Sequence, residues 1–185
     1  MARVKESEFY NAARETMPVE DRERYLNEKL RELMEYAYHR APAVREKKDR
    51  VGIAPAQIVS VKDLEKIPIT SKEKFVEQQK ANPPFGGFLT VPTENIDRIF
   101  ISPGPLYEPM LPETTKEMKA FYAAGFRKGD RVINTFSYHM TPAGMGFDTP
   151  LRGIGAIVIA TGVGNTELQV GIMRDLKVTG YIGTP

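Results

Sequence analysis

Cysteine is absent from the 185 residues, and only two histidines occur, His39 and His139. Without cysteine there is no disulfide framework, no thiolate nucleophile and no Cys-ligated zinc site. Two histidines cannot build a multi-histidine metal centre. Long apolar runs are missing too: the longest, residues 153–160, is of strand length, far short of the roughly 18 residues that cross a bilayer. The opening MARVKESEFY carries charges throughout and lacks the apolar core of a secretory signal. A surplus of one charge sign is also lacking, since 26 Lys and Arg face 24 Asp and Glu. Nucleic acid and anionic membranes need such a surplus on one face, so neither is expected as a partner. A cytoplasmic protein is the expectation.

What is present suffices for a core. Hydrophobic residues make up 41% and charged residues 27%, in a chain sized for one domain, or one domain plus an extension. Charge density divides the chain: 32 charged residues fall in the first 80 positions and 18 in the remaining 105. The first part reads as exposed helices and the second as a more buried α/β segment, giving a helical region at 1–81 and a partial α/β subdomain at 82–185. Asn82-Pro83-Pro84-Phe85-Gly86-Gly87 between them is dense in turn formers and reads as a linker or loop.

In the first part, residues 19–40 form the strongest helix pattern, with Leu26, Leu30, Leu33 and Ala37 on one face and Ala41-Pro42 as the stop. Residues 45–50, with acids interleaved among the bases, read as a solvated loop. A helix start at 60–64 and a capped helix from Thr70 or Ser71 through Gln79 follow. The second part alternates. Strands are expected at 98–102, 131–136, 156–160 and 178–182, and helices at 114–127, 143–154 and 165–176, the last with Leu168, Ile172 and Leu176 aligned. Such alternation implies a mostly parallel sheet flanked by helices. The final Gly183-Thr184-Pro185 follows directly on a core strand, which reads as a cut, and the uncovered sheet hints at a homodimer.

Several strings, in this order, resemble the N-terminal part of phenylacetate–CoA ligases, in the adenylate-forming superfamily. They are Val51-Gly52-Ile53, Asp63-Leu64-Glu65-Lys66-Ile67-Pro68-Ile69-Thr70-Ser71-Lys72, Val91-Pro92, Gly129-Asp130-Arg131-Val132, Gly164-Asn165-Thr166 with Gln169, and Gly183-Thr184-Pro185. The resemblance implies an adenylate-forming N-terminal domain. It also implies a small aryl or acyl carboxylic acid as substrate, ATP with Mg2+ to form an acyl-adenylate, and coenzyme A as the thiol that displaces AMP. The adenine loop, the magnesium carboxylate and the mobile lysine of such ligases are expected beyond position 185, so the chain alone is expected to be inactive. A non-catalytic binding or assembly module on the same scaffold is the alternative.

The resemblance sets the family's phosphate loop, Ser-Ser-Gly-Thr-Thr-Gly-Lys-Pro, on Ser102, Pro103, Gly104, Pro105, Leu106, Tyr107, Glu108 and Pro109. Pro103 and Pro105 remove two N–H donors, and Glu108 brings a negative charge where a cation belongs. Either triphosphate is held differently or the segment is a proline-stiffened turn between two strands. The acid pocket falls on Tyr138, His139, Ala143 and Gly144, where a strand ends and a helix begins. There His139 could donate to a carboxylate, or serve only as a satisfied helix-start residue. The turn Gly162-Val163-Gly164-Asn165-Thr166 admits two readings, an anion site at a helix start or a tight turn capped by Asn165 or Thr166. No protein metal site is expected.

Overall fold

A computed structural model describes residues 8–112 and 118–184. In chain order the elements are helices α1 (Ala12–Glu15), α2 (Val19–Arg40), α3 (Pro42–Arg50) and α4 (Lys72–Ala81), then strands β1 (Arg98–Ser102) and β2 (Leu106–Met110). There follow α5 (Met118–Ala123), β3 (Arg131–Asn134), α6 (Ala143–Gly153), β4 (Ile157–Ala160), α7 (Thr166–Asp175) and β5 (Gly180–Ile182). The chain forms two compact units, Met17–Leu111 and Met1–Thr16 with Pro112–Pro185. The stretch 82–111, turns and hairpin included, lies with the helices. No helix among the described residues is long and apolar enough to cross a membrane.

In the 17–111 unit, α2 starts after Pro18 with Glu20 and Asp21 in its first turn and closes with His39 and Arg40, charges placed to suit its dipole. Ala41, extended before Pro42, ends it as the sequence requires. The packed face lies beside the expected stripe. Leu30 is buried and Ala37 half-buried, but Leu26 and Leu33 are exposed. The least exposed row instead runs through buried Leu30 and half-buried Asn27, Met34 and Tyr38, and Asn27 Oδ1 accepts from the Val61 N–H at 3.0 Å. A polar residue on the packed side hides this face from a count of apolar positions.

Residues 45–50 are not a loop. They belong to α3, where Pro42 occupies the first turn and Glu46 pairs with Arg50 one turn later at 2.8 Å. Lys48, on the inner side of α3, is only 2% exposed, and its Nζ has no hydrogen-bond partner among the described residues. Burial holds its pKa below the ordinary lysine value. The Asp63 string has a local structural reason. Asp63 accepts from Ser60 N–H (2.8 Å) and Oγ (2.9 Å) and meets Lys66 Nζ at 2.6 Å, closing a 3-10 turn at Val61–Lys66. Lys66 first, then Ser60, hold its carboxyl far below the usual range. Ser71, not Thr70, caps α4, accepting from the Lys74 N–H at 3.3 Å.

The second unit carries a three-stranded sheet in the order β4-β3-β5, with both pairs parallel. Helices α6 and α7 make the two connections, as the alternation predicts. Val132, Leu151 and Ala156 are its buried core, surrounded by Phe121, Phe126, Ile154, Val158 and Ile182. Of the helix expected at 114–127, Met118–Ala123 is helical and 113–117 lies outside the described residues. Leu168 on α7 and Leu176 at its C-cap remain exposed.

Candidate functional site

Two places hold the residues singled out by sequence, one in each unit. The first is the carboxyl end of β3. Asn134 is fully buried, and its side chain folds the following loop back onto the strand. Its Nδ2 donates to Tyr138 Oη and to the Gly144 carbonyl, both at 2.9 Å, while Oδ1 accepts from the Phe136 N–H at 3.1 Å. Tyr138 Oη in turn donates to Asp148 Oδ2 at 3.1 Å, and Arg152 Nε donates to Asp148 Oδ1 at 2.5 Å. Burial, then the Asp148 charge, push the Tyr138 phenol up to about 12. It is a neutral hydrogen-bonding hydroxyl at any physiological pH, turned toward α6.

Gly144 is required by close approach. Its N–H donates to the Ser137 carbonyl at 2.8 Å, and a Cβ added there would lie 2.3 Å from that oxygen. Ala143, half-buried, opens α6. His139 is exposed, with Nδ1 2.9 Å from Ser137 Oγ. The loops after the other strands are stitched to the same edge. Thr161 Oγ1 and the Gly162 N–H donate to the Asn134 carbonyl at 3.2 Å, and Thr135 Oγ1 donates to the Ile182 carbonyl at 3.1 Å. Asn165 precedes α7 in a left-handed conformation and makes no side-chain cap, so the glycine turn is closed instead by Gln169 donating to the Gly162 carbonyl at 2.8 Å. The structure links Tyr138 and Gly144 through Asn134, and joins to them Asp148 and Arg152, which the sequence did not single out. The available signal was an acid and an arginine one turn apart on an otherwise apolar helix.

The second place is the 98–110 hairpin. β1 and β2 pair antiparallel with Ser102 opposite Leu106, so Pro103-Gly104-Pro105 is the turn and 106–109 is strand. Gln79 of α4, 4% exposed, grips the outer edge of β2 at both groups of one residue. Its Nε2 donates to the Tyr107 carbonyl at 2.7 Å and its Oε1 accepts from the Tyr107 N–H at 2.9 Å. With Tyr107 facing outward, alternation assigns Leu106 and Glu108 to the ladder with Ser102 and Phe100. The prolines have no N–H, so Gly104 is the loop residue left with an uncommitted donor. Ser102 Oγ is buried without a partner among the described residues. ATP and Mg2+ are implied at this loop, but these residues do not fit a triphosphate, since one free N–H in a proline turn is no anion nest.

In fold the chain matches the N-terminal domain of adenylate-forming CoA ligases. A structure of 2-hydroxyisobutyryl-CoA ligase in the postadenylation state with 2-HIB-AMP superposes with a TM-score of 0.91 at 25% identity, covering 100% of this chain and 41% of that one. An open conformation of the same ligase with 2-HIB-AMP and CoA gives 0.91 at 24% identity. No protein-family profile matches the chain. By sequence the chain is similar to an N-terminal portion of the phenylacetate–CoA ligases. It is 30% identical to the Thermus thermophilus phenylacetate–coenzyme A ligase over 96% of this chain and 41% of the relative. It is 29% identical to the Pseudomonas putida ligase over 92% and 40%, and 28% identical to that of Escherichia coli K12 over the same shares. The chain thus spans about two fifths of the length of these curated relatives.

Proposed function

We propose that the chain supplies the acid-binding side of a carboxylate–CoA ligase for a small aryl or acyl acid, in the cytoplasm. ATP, Mg2+ and coenzyme A would be co-substrates of the whole protein. The observation that carries this reading is a match to phenylacetate–CoA ligases running over 96% of the chain. The loop at the end of β3 supports it, because ligands of open α/β sheets bind outside the carboxyl ends of the strands. In this reading the exposed His139 donates to the carboxylate, and Ala143 and Gly144 form a thin pocket wall. Tyr138 acts as a positioning residue, its hydroxyl held by Asn134 and Asp148. No step of nucleotide chemistry is assigned to the 102–109 hairpin. The exposed Leu168 on α7 and Leu176 at its C-cap support self-association.

A second reading has an observation of its own. Tyr107 gives its N–H to Gln79, which favours a binding or assembly module that keeps the ligase scaffold without ATP chemistry. Titration of the chain with phenylacetate and with Mg·ATP, followed by amide NMR and calorimetry, tests both. Shifts at 135–144 with phenylacetate and no pyrophosphate release are expected. Unmoved amides at 135–144 would refute the acid site, and turnover above blank would refute inactivity of the isolated chain. ATP shifts at 102–109 would refute the module.

A further inference from the structure

The family resemblance leaves unexplained a cavity of about 390 Å³ lined by α4, residues 85–91 and β2. Its walls include Phe75, Phe88, Val91, Leu106 and Leu111, with Phe75 and Phe88 stacked at 4.1 Å between ring centroids. One residue of the lining carries a charge, Glu108. Strand alternation sets Glu108 on the same face as Leu106. It is half-buried and has no ion-pair partner among the described residues. Gln79, also in the lining, has both amide ends committed to Tyr107.

We propose that this cavity binds a small hydrophobic ammonium ligand, its apolar body against the phenyl wall and its charge on Glu108. Concave, mostly apolar sites with one polar anchor suit small ligands, and an unpaired carboxylate selects a cation. The aromatic rings add attraction for the same charge through their quadrupole. A carboxylate or phosphate would meet repulsion here, so the ligand class is opposite to that proposed for the β3 loop.

Phenethylamine and phenylacetate, alike in shape and opposite in charge, are the probes. Amide NMR on the intact chain should show saturable shifts at 85–91 and 106–111 with protonated phenethylamine and none there with phenylacetate. Glu108→Gln should weaken the amine about tenfold or more, as expected for losing a charge-assisted contact, and Glu108→Lys should abolish it. Both variants should keep the parent spectrum elsewhere, and added salt should weaken binding in the parent alone. Equal shifts by the two probes at these residues, no shift with the amine, or unchanged affinity in Glu108→Gln would each overturn the proposal. Because phenylacetate is read at 135–144 and the amine at 85–111, the ligase reading and this one fail separately.

Discussion

Replacing Gln79 by leucine tests the grip that α4 exerts on the hairpin. Leucine preserves the bulk of a side chain only 4% exposed but removes two hydrogen bonds, of 2.7 and 2.9 Å. Each such bond contributes about 0.5–1.5 kcal/mol net, so the pair accounts for about 1–3 kcal/mol. The Tyr107 N–H and carbonyl would then face an apolar group, and a stranded buried polar group costs about 1–3 kcal/mol. Tyr107 is 43% exposed, so water reaches part of that edge and the added cost falls at the low end. The expected loss is about 2–4 kcal/mol, read from the urea midpoint at constant slope. Gln79→Glu separates packing from hydrogen bonding. At pH 7 its carboxylate still accepts from the Tyr107 N–H but opposes the carbonyl, whereas below about pH 4 the protonated acid regains a donor. Gln79→Glu should therefore recover relative to the parent as pH falls. A Gln79→Leu protein within about 0.5 kcal/mol of the parent, or fast exchange of the Tyr107 amide in the parent, would refute the argument.

Lys48→Met replaces a buried, unpartnered ammonium with an apolar chain of similar length, and should raise the melting temperature by several degrees, corresponding to about 1–3 kcal/mol; a lower melting temperature would refute the assignment of Lys48 as a burden. Gly144→Ala drives a methyl to 2.3 Å from the Ser137 backbone oxygen, which no side-chain rotation relieves, so about 2 kcal/mol or more should be lost in chemical denaturation. Asp63 has a depressed folded pKa, so its contribution is present above the unfolded value near 4 and fades as pH falls below it. Asp63→Asn should therefore be the less stable protein at pH 7 in thermal melts, and the gap should close in acid.

Regular elements were legible where one physical cause dominated. Helix α2 could be bounded from Pro18 and Pro42 alone, because proline fixes backbone angles whatever packs nearby. The parallel pairing of β3, β4 and β5 followed from strand and helix alternation, but their order, β4-β3-β5, did not. Misreadings arose where charge stood in for exposure. Residues 45–50 look solvated, yet α3 buries Lys48 against an inner face, because a lysine stem packs like a hydrocarbon. The Asn134 hub was invisible for the converse reason: its four-residue reach to Tyr138 and ten-residue reach to Gly144 exist only once the loop has folded back. Tyr138 stands out in the sequence as an aromatic at a strand end, but the direction of its hydroxyl depends on Asp148, which no spacing rule ties to it.

The hairpin shows how local departures can be weighed together. Where the resembling ligases carry lysine, Glu108 stands, and a unit charge about 4 Å from a phosphate exchanges on the order of 4 kcal/mol of attraction for a similar repulsion at a near-surface dielectric. The donors that could oppose this are few. Pro103, Pro105 and Pro109 have none, and Tyr107 has given its own to Gln79. One charge-assisted bond from Gly104, about 1.5–3 kcal/mol, cannot offset the repulsion. Restoring lysine at 108 alone would still leave the Tyr107 N–H committed and the prolines in place. Three substitutions that each turn the loop away from anions, held by a side-chain clamp from α4, agree with one another as a sequence adapted to a different task agrees. Residues 102–109 thus offer little to hold a triphosphate, and their amides are expected to stay unmoved when Mg·ATP is titrated into the chain.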